Sequence, residues 1–230
     1  MTFQKNTSGA PVGCRQELVS SYAPGLRLIA IGGGIGSGKS VVSRILVAMG
    51  FDVYDCDRQA KKLMAESEPI LEAIAEHIAA EAVCRDEAGC RFVDRKVLAA
   101  IVFSDKEKLA ALNAIVHGAV RDDLRQWAIA HGHGLMFVES AIILESGLHN
   151  MVDEIWNVEA PAEVRISRAM SRDNASREQI LARISCQQDI PSEVVDADGC
   201  SVTVRSVVND GRMPVLPQIL RLIELIGRCL

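Results

Sequence analysis

One glycine-rich stretch, residues 33–40, constrains the fold of this 230-residue chain more than any other feature. It reads Gly-Gly-Ile-Gly-Ser-Gly-Lys-Ser, follows the apolar residues 28–31 and precedes a helix-compatible stretch at 41–49. Glycines allow the backbone to curl so that successive N–H groups point into one concavity, and a helix that begins there adds its own unpaired N–H groups. The order of strand, loop and helix predicts a P-loop, which binds the phosphates of a nucleotide.

The last two residues of this stretch have the chemistry that a nucleotide needs. Lys39 can reach the β- and γ-phosphates, and the hydroxyl of Ser40 can ligate Mg²⁺. The predicted nucleotide-binding residues are Gly34, Ile35, Gly36, Ser37, Gly38, Lys39 and Ser40. A P-loop serves switch GTPases, transport and motor ATPases and small-molecule kinases alike. The chain contains neither an Asn-Lys-x-Asp nor a Leu-Ser-Gly-Gly-Gln motif, which lowers the switch and transporter interpretations.

Composition limits the class of protein further. A hydrophobic content of 49% supports a sizeable core, and a net charge of −5 argues against nonspecific binding to nucleic acid. No apolar run approaches the roughly 18 residues of a membrane span, and the polar start favours no secretory signal. The seven cysteines are scattered without a CxxC pair, which is typical of free thiols in a reducing compartment. We therefore expect a cytoplasmic protein with no membrane partner.

Short apolar or β-branched runs predict five strands, at residues 26–31, 51–54, 135–138, 153–158 and 201–208. Helical stretches separate them, which is typical of an α/β fold with a parallel sheet. Residues 58–131 are mostly helical, with a turn or small hairpin at 84–93. We expect three helix caps, at Asp94 and in capping boxes that begin at Ser104 and Ser176. A closing helix is predicted at 217–229.

Carboxylates follow two of the predicted strands. Asp55 and Asp57 come at the end of the second strand, where an open α/β sheet binds its ligands. Asp57 is therefore a candidate base for an attacking hydroxyl, although a helix cap explains it equally well. Asp55 is a candidate to orient Asp57 or to hold the water shell of Mg²⁺. Glu139 follows four apolar residues, as a second Mg²⁺ residue would, although a surface glutamate remains an equal alternative.

Two further sets of side chains are candidates with structural alternatives. Arg165, Arg168 and Arg172 share one helical face, which suits a lid that closes over a triphosphate and also suits a solvated basic face. The pair His131 and His133 is more typical of a glycine-punctuated helix end than of a metal site. The lone helical His117 fits a structural role at least as well as a binding role.

Several stretches together resemble the dephospho-coenzyme A kinase family, over about residues 26–226. The matching segments are residues 33–40, Asp55-Cys56-Asp57-Arg58-Gln59-Ala60, residues 112–117 ending in His117, residues 139–148, Ala160-Pro161, Arg168 with Arg172-Asp173, Gln187 and Asn209-Asp210-Gly211. Members of this family transfer the γ-phosphate of ATP to the ribose 3′-hydroxyl of dephospho-CoA, in the last step of CoA synthesis. The resemblance implies ATP and Mg²⁺ as cofactors and dephospho-CoA as the small-molecule partner.

The resemblance also implies an architecture and residue roles. The implied fold is a P-loop NTPase fold like that of nucleotide-monophosphate kinases, with a three-layer parallel five-stranded core, a helical acceptor-binding lobe and a lid. We expect the core at 26–58, 134–160 and 198–230, the lobe at 59–133, the lid at 161–197 and an N-terminal extension at 1–25. Asp57 matches the proposed base, Arg168 and Arg172 match lid positions, and His117 lies in the segment that matches the lobe.

Three segments depart from the family's usual residues. Val41 stands where the family usually has a threonine whose hydroxyl often meets the α-phosphate, which predicts modestly weaker ATP binding. The family's Asp-x-Pro-Leu-Leu appears as Glu139-Ser140-Ala141-Ile142-Ile143, and its His-Pro pair appears as His117-Gly118. These are substitutions at positions that shape the site. Two alternatives stay open, a kinase of another small nucleotide or nucleoside on the same fold, and an ATP-dependent switch or scaffold.

Overall fold

The structure is a computed structural model that describes residues 19, 25–131, 134–197 and 199–227. The predicted N-terminal extension, the turn residues 132–133 and the end of the closing helix beyond 227 lie outside the described residues, apart from Val19 and Gly25. The chain forms two compact units. The first consists of the part up to Tyr54 and the part from Ala128 onward, and the second is Asp55–Trp127. No helix in the described ranges is long and apolar enough to cross a membrane.

The described part of the chain contains strands and helices from its first element to its last. The strands are β1 (Leu26–Gly32), β2 (Val53–Asp55), β3 (Val83–Arg85), β4 (Arg91–Val93), β5 (Gly134–Glu139), β6 (Glu154–Glu159), β7 (Val194–Val195) and β8 (Ser201–Val208). The α-helices are α1 (Lys39–Ala48), α2 (Cys56–Glu66), α3 (Glu68–His77), α4 (Arg95–Ser104), α5 (Lys106–His131), α6 (Ala162–Asp173), α7 (Arg177–Ser185) and α8 (Val215–Gly227). The predicted α/β class is confirmed.

The central sheet of the first unit has the strand order β2-β5-β1-β6-β8-β7. β1 pairs in parallel with β5 and β6, and β6 pairs in parallel with β8. The five predicted strands are all present, but the predicted number is wrong because β7 adds a sixth that pairs with β8 in the antiparallel direction. β7 is two residues long, which is too short to produce a periodic signal in the sequence.

The core of this unit explains why the sequence of β1 is a continuous run of apolar residues. Leu28, Ile29, Ala30 and Ile31 are all fully buried. Successive side chains of a strand point to opposite faces, so the sheet is covered on both faces at β1. On one of these faces Ile29 and Ile31 pack in a cluster with α1 and α8. This burial fixes the end of β1, from which the glycine-rich loop leaves the sheet.

The second unit contains α2, α3, α4, the part of α5 up to Trp127 and the β3–β4 hairpin. A cluster that includes Ile70, Ile74, Leu98 and Val102 forms its core. The sequence predicted a turn or a small hairpin at residues 84–93. The hairpin is confirmed, since β3 and β4 pair in the antiparallel direction.

Two of the three predicted helix caps are confirmed and one is wrong. Asp94 caps α4 by accepting N–H bonds from its first turn, and Ser176 forms the predicted capping box of α7. Ser104 does not cap α5. It is the last residue of α4, where its hydroxyl donates to the carbonyl of Ile101 (2.8 Å). Asp105 takes the cap instead, accepting the N–H groups of the residues two and three positions later at 2.9 and 3.1 Å.

Candidate active site

The glycine-rich loop, residues 33–40, connects β1 to α1 at the carboxyl edge of the sheet. Gly38 precedes the first residue of α1 with φ at +100°, a conformation that favours glycine. A Cβ at Gly38 would collide with the side-chain amide of Asn209, and a Cβ at Gly36 would collide with the backbone carbonyl of Arg165. The loop therefore needs glycine for both its curvature and the close approach of neighbouring groups.

The ammonium group of Lys39 lies over the loop. Its Nζ donates to the carbonyl oxygen of Gly33 at 2.7 Å and to that of Gly34 at 3.3 Å. The positive charge of Lys39 and the positive end of the α1 dipole lie at the same loop. Both favour the binding of a phosphate there. The geometry suits a nucleotide whose phosphates take the place of the carbonyls as partners of the ammonium.

The three arginines of α6 have different contacts. Arg165 donates from Nε to the carbonyl of Ile35 at 3.0 Å. Arg168 donates from Nη1 to the carbonyl of Asn209 at 2.9 Å, with the carbonyl of Ser37 at 3.5 Å. α6 thus brings two guanidinium groups to the glycine-rich loop.

Arg172, at the end of α6, forms an ion pair with Asp173 at 2.7 Å. Asp173 also lies 2.9 Å from Arg183 of α7. The hydrogen bond from Arg172 lowers the pKa of Asp173 below its ordinary value, and the charges of both arginines lower it further. The structure thus gives Arg172 a carboxylate partner on its own helix. Of the three arginines on the predicted lid face, Arg165 and Arg168 contact the glycine-rich loop and Arg172 forms an ion pair.

Ser40 and Glu139 are the two predicted Mg²⁺ residues. Ser40 is exposed in the first turn of α1, and Glu139 ends β5 in register with Ile31 of β1. Because β1 and β5 are parallel, both residues lie at the carboxyl edge of the sheet. Their hydroxyl and carboxylate oxygens are the donors that Mg²⁺ prefers, and Mg²⁺ commonly binds one or two such groups together with water and substrate phosphates. Among the described residues, no group of three or more His, Cys, Asp and Glu side chains is arranged to hold a metal ion. The residues therefore fit Mg²⁺ bound together with a nucleotide.

A cavity of about 250 Å³ opens beside the start of the loop. Its lining includes Gly33 and Gly34 of the loop, Arg165 of α6, and the acidic residues Glu159 and Asp189. Glu159 ends β6 and accepts hydrogen bonds from neighbouring strand side chains. The cavity can therefore bind a polar group next to the phosphate loop.

The remaining predicted residues belong to the second unit. Asp55 caps α2, since its Oδ1 accepts the N–H of Arg58 at 3.0 Å. Asp57 lies in the first turn of the same helix and is exposed. The cap that the sequence offered as the alternative role for Asp57 is therefore provided by Asp55, and the carboxylate of Asp57 is accessible for chemistry. His117 is half-buried on α5.

Comparison with known proteins decides the family. The model of the dephospho-CoA kinase family (CoaE) matches residues 27–214, which is most of the chain. The chain belongs to the dephospho-CoA kinase family. A dephospho-CoA kinase of Bacteroides fragilis strain YCH46 is 39% identical over 197 residues, covering 85% of this chain and 90% of the relative. A dephospho-CoA kinase of Porphyromonas gingivalis is 38% identical over 197 residues, covering 85% of this chain and 92% of the relative. The resemblance found in the sequence is confirmed.

Solved structures agree with the fold. The crystal structure of TT1252 from Thermus thermophilus superposes with a TM-score of 0.66 at 30% identity, covering 90% of this chain and 98% of that protein. A dephospho-CoA kinase from Campylobacter jejuni superposes with a TM-score of 0.56 at 24% identity, covering 88% of this chain and 98% of that protein.

Three residues at the loop of this dephospho-CoA kinase family member had no assigned site role from the sequence. Asn209 and Gln187 were expected only as family matches, yet both contact the loop. Arg165 was counted among the helix face without a role of its own. One signal was available for Asn209, because it directly follows the last strand and so reaches the same edge of the sheet as the loop.

Proposed function

We propose that this protein transfers the γ-phosphate of ATP to the 3′-hydroxyl of the ribose of dephospho-CoA, which gives CoA and ADP and completes CoA biosynthesis. The observation that carries this proposal is the match of residues 27–214 to the dephospho-CoA kinase family. A glycine-rich loop with a lysine directed at its own carbonyls supports the nucleotide half of the reaction. We place the reaction in the cytoplasm, where the expected free cysteines would stay reduced.

The glycine-rich loop acts as the P-loop of this reaction. Its N–H groups and Lys39 bind and neutralise the phosphates, and they keep the γ-phosphorus in line with the attacking hydroxyl. Val41 is 39% exposed in the first turn of α1 and offers no hydroxyl, so the α-phosphate loses one donor there. Fixed donors that neutralise the charge of the transition state usually make the largest contribution to the catalysis of phosphoryl transfer.

Ser40 and Glu139 hold Mg²⁺, directly or through a water molecule. When bound, the ion supplies charge neutralisation at the β- and γ-phosphate oxygens. Glu139 is well suited because it lies on the strand next to β1, at the edge from which the loop leaves.

Asp57 accepts the proton of the 3′-hydroxyl. Its carboxylate is exposed, and the cap of α2 is already provided by Asp55. The helical residues 59–133, including His117, bind the acceptor. Residues 161–197 act as a lid, and Arg168 and Arg172 neutralise charge while water is excluded, which protects ATP from hydrolysis.

The test is a CoA-forming assay with the purified full chain, ATP and Mg²⁺. We expect dephospho-CoA to be phosphorylated with a kcat/KM far above those for AMP, UMP and adenosine. An equal or higher kcat/KM for one of these acceptors would identify a different small-molecule kinase. Binding of ATP without any phosphorylated acceptor would favour a switch or scaffold instead.

A further inference from the structure

Two carbonyl groups of the glycine-rich loop are held by side chains from distant parts of the chain. The carbonyl of Ile35 accepts a hydrogen bond from Arg165 at 3.0 Å. The carbonyl of Ser37 accepts one from Nδ2 of Asn209 at 2.8 Å. Asn209 is itself nine-tenths buried, and its own carbonyl accepts Nη1 of Arg168. The side-chain amide of Asn209 is therefore fixed against the loop.

The peptide groups that contain these carbonyls also contain the N–H groups of Gly36 and Gly38. In a planar trans peptide the C=O and the N–H point in opposite directions, so each N–H is turned away from the side chain that binds the carbonyl. Within the described ranges of the chain, neither N–H donates to a protein acceptor. Both are therefore directed to where a phosphate would accept them.

Ile35 is held at its N–H as well. Oε1 of Gln187 accepts this N–H at 2.7 Å, and Nε2 of the same side chain reaches the carbonyl of Ala141 at 3.4 Å. Gln187 therefore ties the tip of the loop to the segment that follows β5. A loop held at Ile35 and Ser37 has little freedom to rotate the peptides between them.

We propose that Gln187 and Asn209 are positioning residues for phosphate binding. They fix the loop, before any nucleotide arrives, in the shape that presents the N–H groups of Gly36 and Gly38 to the phosphates. Donors that are already oriented cost no reorganisation when the charged group binds. This inference rests on the nucleotide half of the proposed function and is independent of which acceptor is used.

The test uses neutral replacements of similar volume, so that no charge is added near the phosphates. Gln187→Met removes the acceptor of the Ile35 N–H, and Asn209→Leu removes the donor to Ser37. Gln179→Met is the control for the first, because Oε1 of Gln179 accepts the N–H of Ser176 at 3.0 Å and does not contact the loop.

The control for the second variant is Asn150→Leu. Oδ1 of Asn150 accepts the N–H of Ala197 at 2.7 Å, far along the chain from the loop. Both controls remove a side chain–backbone hydrogen bond from the same unit, and the glutamine control removes an accepted N–H as Gln187→Met does.

ADP binding to each full-length variant is measured by calorimetry, and KM is measured separately for ATP and dephospho-CoA. We expect Gln187→Met and Asn209→Leu each to weaken ADP binding about five- to tenfold, as the loss of one backbone hydrogen bond predicts. The KM for ATP should rise by a similar factor while that for dephospho-CoA stays the same. Both controls should keep the wild-type ADP affinity.

Three results would overturn the inference. Unchanged ADP affinity in both loop variants would overturn it and leave the proposed function intact. Equal rises of both KM values, together with a lower thermal midpoint, would show that the residues serve folding and not the loop. A wild-type protein that binds no ADP would overturn the inference and the proposed function together.

Discussion

Nζ of Lys39 donates a hydrogen bond of 2.7 Å to the carbonyl oxygen of Gly33, so a side chain near the end of the glycine-rich loop binds the backbone at its start. A lysine ammonium is a compact, strongly hydrated charge, and it gives up carbonyl partners readily for a phosphate. The contact therefore keeps the ammonium where the phosphates would bind. It also predicts that this one side chain is necessary for catalysis.

We expect Lys39→Ala to lose CoA formation by at least about a thousandfold, because charge neutralisation of the transferring phosphate supplies several kcal/mol. The thermal midpoint is measured on the same variant, so that a loss of activity can be separated from a loss of the fold. Initial rates with ATP and dephospho-CoA measure the effect. The exposed Lys106, replaced by alanine, serves as the control. Near-normal activity of Lys39→Ala would remove the loop from the catalytic site.

Asp57→Asn is expected to lower kcat by about two to four orders of magnitude, since a general base contributes roughly that factor. ATP binding should be unchanged, because the variant keeps the size of the side chain and the cap of α2 belongs to Asp55. Rates and nucleotide affinity are measured on the same preparation, with the exposed Asp52→Asn as the control. A kcat within a factor of about three of the wild type would exclude the base role.

Glu139→Gln should raise the Mg²⁺ concentration needed for half-maximal activity by about tenfold, as for other changes close to a bound metal. The measurement is a Mg²⁺ titration at saturating ATP. Glu159→Gln is the matched comparison, because Glu159 ends β6 on the other side of β1 and its carboxylate accepts hydrogen bonds from Asn157 and Ser206. Equal shifts in the two variants would contradict a specific role for Glu139.

Val41→Thr is expected to lower the KM for ATP by about two- to fivefold, because it restores a hydroxyl donor for the α-phosphate at a net gain near that of one hydrogen bond. Val41 is 39% exposed, so the change does not disturb the core. Steady-state kinetics at saturating dephospho-CoA provide the measurement. Val47, which is also exposed on α1, gives a control in Val47→Thr. A KM for ATP that stays constant or rises would show that this position does not contact the nucleotide.

The Arg172–Asp173 pair predicts a pH dependence. The hydrogen bond from Arg172 holds the pKa of Asp173 below the ordinary value of 3.8, so the folded protein binds this proton more weakly than the unfolded chain. The pair therefore stabilises the fold above pH 3.8, and its contribution is lost as the pH falls through the lowered pKa.

An NMR titration of the Asp173 carboxyl in the wild type and in Arg172→Gln tests this relation. The pKa should move up toward its ordinary value in the variant, although Arg183 still lies 2.9 Å away. The difference in unfolding free energy between the two proteins should be present at pH 7 and shrink in acid. A pKa that is the same in both proteins would contradict the assignment of Arg172 as the main cause.

Much of the fold could be predicted because its elements are coded locally. The buried β1, the β-branched β8 and the capping box at Ser176 each leave a pattern within a few neighbouring residues. The prediction failed where the local pattern was too short or was ambiguous. β7 has two residues, and at Ser104 two capping patterns overlap, of which the structure uses the aspartate one position later.

The site was predictable in part for a similar reason. The glycine-rich loop is continuous in sequence, so its motif identifies it without knowledge of the fold. The contacts of Gln187 and Asn209 with the loop join residues more than 150 positions apart. Such contacts depend on which strands become neighbours in the sheet, and a single sequence does not encode that arrangement in any local pattern.

The hydrogen bonds that Arg165, Gln187 and Asn209 make with the loop have a consequence for biosynthesis of the protein. The loop is made early, yet its last partner is 172 residues later in the chain. A ribosome therefore adds 172 residues after Ser37 before the loop can acquire its final shape. ATP, which stabilises only a chain that can bind it, would act late in folding and would protect finished molecules from proteolysis better than shortened ones.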